Sequence, residues 1–166
     1  IDAPRDLFIA DGKIVGVGSA PAGFTAARSI DASGLVVAPG LIDLAARLRE
    51  PGFEYKATLE SEMDAAMAGG VTSLAIPPDT DPVLDEPGLV EMLCYRAKKL
   101  NRAHVYPVGA LTIGLEGEQL SEMAELVEAG CVAFSQANTP ILDTRVLSRA
   151  MQYAATFGFR VWLQPL

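Results

Sequence analysis

The sequence predicts an α/β protein built on a parallel sheet, and three observations lead to this fold class. From residue 41 onward, short apolar segments alternate with amphipathic segments of helix length. The apolar segments are nearly continuous, which is typical of strands that are covered on both faces. About 50% of the residues are apolar and 20% are charged, enough to form a packed core. This repeat predicts either a doubly wound sheet or a (β/α)8 barrel, and the lack of a glycine-rich dinucleotide motif after the first strand weakens the former.

The first part of the chain predicts a small β unit. Residues 7–10 and 13–17 flank an Asp-Gly pair, which is a strong signal for a tight hairpin. Residues 28–31 and 35–37 are predicted to be two further strands around a second turn.

The remaining elements follow from apolar runs and from helix start and stop signals. Thr58 and Asp143 are predicted helix N-caps, and Gly158 is predicted to end the last helix. Strands are predicted at 41–48, 71–77, 103–111, 131–135 and 160–166, and helices at 58–69, 85–100, 118–129 and 143–158.

Composition excludes several functional classes. A net charge of −8 argues against nucleic acid or an anionic membrane as a partner. Cys94 and Cys131 form no C-x-x-C pair and are predicted to be buried free thiols. No apolar run reaches membrane-spanning length, so we expect a cytosolic protein. Because the chain begins without methionine and ends within an apolar run, we expect a segment of a longer polypeptide.

Two motifs carry a resemblance to a known family. The run APGLIDL at residues 38–44 resembles the first barrel strand of the cyclic amidohydrolases, and LREPG at 48–52 resembles the dihydroorotases in particular. The resemblance implies a (β/α)8 TIM barrel with a small β-sandwich formed by the two chain ends. We therefore expect residues 1–38 to be the N-terminal part of the sandwich and 39–166 to be about half of the barrel. The open edges of a half-barrel must be covered by the rest of the barrel or by another chain.

The resemblance also implies a metal site that this sequence has lost. Active relatives carry His-x-His on the first strand, where i and i+2 face the same side, but this chain has Ala45 and Arg47. Alanine has no donor atom, and arginine is a permanent cation without a lone pair. The resemblance places further ligand positions at Gln136, after AGCVAFS, and at Gln164, after FGFRVWL. The single histidine, His104, is predicted to be an ordinary strand-start residue, so we expect no metal and no cofactor.

Parts of a substrate site persist in the sequence. The resemblance implies that Arg49 matches the arginine that holds the substrate carboxylate, and that Asp79 replaces a neutral asparagine of the family. The acidic Asp79 should disfavour an anionic substrate. We interpret the loop at residues 49–52 as a preserved scaffold, with Arg49 paired to Asp79 or to another carboxylate. A further hypothesis is that Arg47 replaces the charge of the metal.

Three functions are compatible with these residues. The resemblance implies a pseudoenzyme, an inactive dihydroorotase homologue that associates with the aspartate transcarbamoylase catalytic chain in pyrimidine biosynthesis, and we also expect self-association. The alternative is an active zinc-dependent cyclic amidohydrolase that hydrolyses a ring amide. The third possibility is a binding module that holds a small anion through Arg47 and Arg49. No serine-hydrolase elbow, P-loop or zinc-finger spacing supports another chemistry.

Overall fold

A computed structural model describes residues 3–164, and the chain divides into two compact units, Ile1–Ala38 and Pro39–Leu166. In the first unit, β1 (Leu7–Ala10) and β2 (Lys13–Val17) form an antiparallel hairpin, as predicted. Asp11 and Gly12 have φ values of 50° and 71°, which is the left-handed backbone that such a tight turn requires.

The prediction of two further strands in this unit is wrong. Residues 28–31 and 35–37 have no regular strand structure. Their apolar side chains are exposed, and Val36 is 92% accessible. A strand forms only where its backbone N–H and C=O groups find a partner, and within residues 3–38 only β1 and β2 pair. The described part of this unit is therefore a two-stranded hairpin with irregular segments.

The second unit is a parallel five-stranded sheet whose strands follow chain order. A doubly wound sheet reverses its strand order at a switch point, whereas a barrel adds each strand beside the last, so this order identifies a half-barrel. The α/β barrel class predicted from the sequence is confirmed. The strands are β3 (Leu41–Asp43), β4 (Val71–Ile76), β5 (His104–Ala110), β6 (Ala133–Ser135) and β7 (Val161–Trp162), and the helices are α1 (Leu59–Ala68), α2 (Pro87–Leu100), α3 (Met123–Ala129) and α4 (Thr144–Phe157).

Several element boundaries differ from the prediction. The strand predicted at 41–48 ends as β3 at Asp43, although the Ala46 N–H still donates to the Ala75 carbonyl at 2.9 Å. The helix predicted from residue 118 begins at Met123, because a 3₁₀ turn at Ile113–Leu115 and a bridge between Thr112 and Leu120 take up the preceding segment. Of the last predicted strand, 160–166, the described residues form a strand only at Val161–Trp162, and residues 165 and 166 lie outside the described residues.

Side chains of the strands alternate between the helix layer and the barrel interior. Leu74 and Ile76 of β4 pack with Leu59 and Met63 of α1 on the helix side. On the opposite face, the barrel interior is filled by three small or medium side chains, those of Ala75, Val108 and Ala133. Trp162 of β7 packs against them. The hydrophobic core therefore lies mainly between sheet and helices, and the interior face leads up to the carboxyl ends of the strands.

Both cysteines are free thiols, as predicted, but only Cys131 is buried, whereas Cys94 is half-buried. Burial is the main cause that raises the pKa of Cys131 to about 12. The neighbouring Cys94 adds to that rise. None of the helices within residues 3–164 is long and apolar enough to cross a lipid bilayer.

The loop after β3 is held by a buried carboxylate. Glu50 is 3% exposed, and its Oε2 accepts a hydrogen bond from the Leu59 N–H, at the start of α1, at 2.7 Å. Its Oε1 forms an ion pair with Arg96 of α2. Thr58 caps α1 in a capping box with Ser61. Glu50 thus joins the loop to two helices, and a carboxylate near a helix N-terminus also complements the helix dipole.

Replacing Glu50 by alanine is expected to destabilise the protein by about 2–4 kcal/mol, because a buried charge-assisted hydrogen bond and an ion pair are lost together. Urea unfolding of the full-length protein measures this change in the free energy of unfolding. Glu60→Ala is the matched control, since Glu60 is exposed and its nearest cation, Arg102, lies 3.8 Å away. The control should cost less than about 0.5 kcal/mol. Equal costs for the two variants would contradict the role given to Glu50.

Candidate functional site

The candidate site is a cavity at the carboxyl ends of the parallel strands, where barrel folds place their ligands. We call it the mouth cavity; its volume is about 190 Å³. It brings together three of the positions predicted from the sequence, Ala45, Arg47 and Gln164. Ala45 and Arg47 both line it, as the predicted strand direction implied, although β3 itself ends at Asp43. Its other polar or aromatic lining residues are Ser135, Asn138 and Trp162.

Gln136, the fourth predicted position, does not line the mouth cavity. It is 3% exposed, and its Nε2 donates to Thr112 Oγ1 at 2.8 Å and to the Leu115 carbonyl at 2.9 Å. Its side chain therefore joins the end of β6 to the loop after β5. Ala137, with φ of 50°, lines the cavity instead and has no donor atom. His104 is exposed at the first residue of β5, the end of the strand away from the mouth.

An ion pair joins the ends of β3 and β4 at the mouth. Arg47 Nε lies 2.7 Å from Asp79 Oδ2, and the two side chains are 33% and 28% exposed. One of the five N–H donors of the guanidinium is used in this bond. Within residues 3–164, the terminal nitrogens of Arg47 make no hydrogen bond. Asp79 thus holds the guanidinium in place while most of its donors stay available.

Arg49 does not pair with Asp79, which corrects the expectation from the sequence. It is exposed, its φ is 64°, and no carboxylate of the described chain lies within ion-pair distance. It lines a second cavity of about 420 Å³ beside α1 that Arg47 also borders. The reason is geometric: both arginines follow the end of β3, but Arg47 lines the mouth cavity with Ala45, whereas Arg49 adopts a left-handed backbone conformation and does not line it.

The rest of the LREPG loop has structural roles. Leu48 and Glu50 are buried. Gly52 has a φ of 94°, and a Cβ at this position would collide with the Asp81 carbonyl oxygen. This glycine is required both by its backbone angle and by the close approach of the loop after β4.

The donor set of the mouth does not fit a divalent metal ion. The side chains of Ala45 and Ala137 have no ligand atom, and Arg47 is cationic. Ser135, Asn138 and Gln164 offer only neutral hydroxyl and amide oxygens, which are not the N, S or carboxylate ligands that zinc prefers. The carboxylate of Asp79 is bound to Arg47. In the part of the chain that the structure describes, no group of three or more His, Cys, Asp or Glu residues could hold a metal ion.

Several mouth residues were missed by sequence reasoning. Ser135, Asn138 and Trp162 line the cavity, and so does Ala137 in place of Gln136. Strand parity could have found two of them: Ala133 and Ser135 face the interior, so the next residue in phase is 137, and the residue in phase with Gln164 is Trp162.

Comparisons with known proteins show which family and fold this chain resembles. A family model described as "Dihydro-orotase-like" matches residues 34–161. A "Dihydroorotase-like protein" of Pseudomonas aeruginosa is 52% identical over 161 residues, covering 97% of this chain and 38% of that protein. A "Dihydroorotase" of Citrifermentans bemidjiense is 43% identical over 161 residues, with the same coverage of 97% and 38%.

This chain thus spans about 38% of the length of these curated relatives. Among solved structures, an L-hydantoinase (dihydropyrimidinase) from Arthrobacter aurescens superposes with a TM-score of 0.81 at 20% identity, covering 96% of this chain and 36% of that one. The structural match shows the amidohydrolase barrel fold, and the family model shows the family. The chain belongs to the dihydroorotase-like family.

Proposed function

We propose that the protein containing this chain is a non-catalytic dihydroorotase-like subunit. It supports the assembly and activity of aspartate transcarbamoylase in de novo pyrimidine biosynthesis, assembles with further copies of itself, and works in the cytosol. The observation that carries the proposal is the mouth itself. Ala45 and Arg47 stand where the family resemblance leads us to expect two metal ligands, and Arg47 is bound by the carboxylate of Asp79.

The chemistry of the mouth supports a non-catalytic role. Hydrolysis of a ring amide at neutral pH needs an activated water, which a bound metal supplies by lowering the pKa of that water to about 7. No described side chain in the mouth offers a replacement. The guanidinium of Arg47 offers hydrogen-bond donors and no acceptor, so it cannot act as a base. Asp79 is bound to Arg47, and His104 lies at the other end of β5.

The packing supports a scaffold role. The residues that hold the barrel together, such as Leu74 and Phe134, are buried on the helix side of the sheet. The mouth residues lie on the opposite side of the strands or beyond their ends. Loss of ligands at the mouth therefore leaves the core intact, and a rigid barrel stays available for contact with a partner chain.

The competing proposal is an active cyclic amidohydrolase. It is favoured by the relative named dihydroorotase, which is 43% identical to this chain. It would need metal ligands from outside residues 3–164 to compensate for Ala45 and Arg47.

Metal analysis separates the two proposals. The purified full-length protein is expected to contain far less than one zinc per chain and to show no hydrolysis of dihydroorotate. The reason is that the described mouth offers a cation only neutral side-chain oxygens, those of Ser135, Asn138 and Gln164, and the neighbouring carboxylate of Asp79 is bound to Arg47. An active dihydroorotase purified in parallel is the control for metal retention. Stoichiometric zinc together with hydrolysis that a chelator abolishes would establish the active enzyme instead.

Co-expression with the aspartate transcarbamoylase catalytic chain tests the scaffold role. We expect the two proteins to co-elute on a sizing column and the transcarbamoylase activity to fall when this subunit is omitted. Arg47→Gln should leave co-elution unchanged, because the mouth pair lies apart from the helix-side core that maintains the barrel. Independent migration of the two proteins at micromolar concentration would count against the proposal.

A further inference from the structure

We propose that Cys94 and Cys131 form a thiol pair that a small-molecule disulfide oxidises to a cystine within the chain. Cys94 lies in α2, and Cys131 lies two residues before β6, so the cystine would join these two elements across the helix layer. Both residues are free thiols in this structure. The proposal does not depend on the scaffold role, because both cysteines belong to the helix-side packing and a scaffold subunit can assemble with its thiols reduced or oxidised.

The first step is the proximity of the two residues. Gly130 ends α3, and Cys131 follows it directly. A Cβ at Gly130 would lie 3.2 Å from Cys94 Sγ, so this sulfur lies against the residue that precedes Cys131. Cys94 also packs against the buried cluster that contains Cys131. The charge of a Cys94 thiolate contributes to raising the pKa of Cys131, an effect that acts between neighbouring groups.

The second step is the freedom of this segment to adjust. A cystine brings its two sulfur atoms to about 2.0 Å from each other. Rotation about the Cα–Cβ bond moves Cys94 Sγ while the backbone of α2 stays in place. Residues 131 and 132 belong neither to α3 nor to β6, so a small change of their backbone angles leaves both elements intact. Glycine at position 130 keeps the approach open, because a side chain there would press against Cys94 Sγ.

The third step is the apolar character of the surroundings. Cys131 is 5% exposed and packs in a cluster with apolar side chains such as Leu126 and Phe134. Burial raises the pKa of both thiols, so both are uncharged at neutral pH. A cystine is also uncharged, whereas a metal ion held by two cysteines needs both of them as thiolates. These surroundings therefore favour a disulfide over a bound metal ion.

The oxidation consists of two thiol–disulfide exchanges. Cys94 is half-buried and Cys131 is buried, so Cys94 is the thiol that a small disulfide reaches first. Cys94 loses its proton and attacks one sulfur of the reagent, which forms a mixed disulfide and releases the other half of the reagent as a thiol. Cys131 then loses its proton and attacks Cys94 Sγ, which forms the cystine and releases the second thiol. The two cysteines lose two electrons and two protons in total, and the reagent gains them.

Peptide mapping of the full-length protein tests the proposal. The folded protein is incubated with excess oxidised glutathione, its remaining thiols are blocked with N-ethylmaleimide, and it is digested with trypsin without reduction. Segments 57–96 and 103–145 each contain one of the two cysteines and no internal lysine or arginine before their last residue. We expect a linked peptide with the mass of these two segments less two hydrogen atoms, which dithiothreitol separates.

Two variants provide the controls, and a sizing column checks that each folds as the unmodified protein does. Cys94→Ser should lose the linked peptide and leave Cys131 without glutathione, because Cys131 is buried. Cys131→Ala should also lose it, but Cys94 should accumulate as the mixed disulfide with glutathione, since the second thiol is missing.

Three results would overturn the proposal. They are a linked peptide that forms only when urea is added, a mixed disulfide at Cys94 that persists while Cys131 stays a thiol, and a bond from Cys94 to a cysteine outside this chain. Co-elution with the transcarbamoylase chain is a separate readout, so failure of the thiol pair leaves the scaffold proposal as it stands.

Discussion

The structure depends on one constraint, the alternation of side chains along parallel strands that lie between a helix layer and a barrel interior. On β4, Leu74 and Ile76 face the helices, while Ala75 faces the interior. Beyond β3, Ala45 and Arg47 face the mouth, while Ala46 and Leu48 pack with the helix-side core. Because core and mouth use different residues of the same segments, the chemistry of the mouth can change while the barrel stays folded. The proposed non-catalytic role relies on this separation.

The Arg47–Asp79 pair shows how such a change is made compatible with the fold. An isolated guanidinium in a partly buried cavity is costly, and a nearby carboxylate lowers that cost. With about a third of each side chain exposed, the pair contributes little net stability, on the order of 1 kcal/mol or less. Its main effects are electrostatic and geometric. It balances the charge of Asp79, ties the ends of two strands together and orients the remaining donors of Arg47.

Sequence reasoning succeeded where local signals were strong. The hairpin at Asp11-Gly12 and the caps at Thr58 and Asp143 were predicted correctly, because turn and cap preferences act over a few residues. It failed at residues 28–31 and 35–37, where apolar segments lack a strand partner among the described residues. At the site, sequence reasoning did not predict which way two side chains point. Gln136 points away from the mouth and binds Thr112, and Asp79 binds Arg47 and not Arg49.

By itself, the sequence determined the barrel class, the family resemblance and the types of residue at the mouth, since these follow from periodicity, short motifs and residue identity. Only the tertiary structure decided which of those residues meet. After Ser135, the residue that faces the mouth is Ala137 and not Gln136. The arginine that Asp79 binds is Arg47, two residues after Ala45, and not Arg49. Such contacts depend on where each strand ends and on the backbone angles just beyond it, as at Arg49 and Ala137, which both adopt positive φ. Because side chains alternate along an extended chain, a shift of one residue in the alternation moves a side chain from the cavity to the opposite face of the sheet.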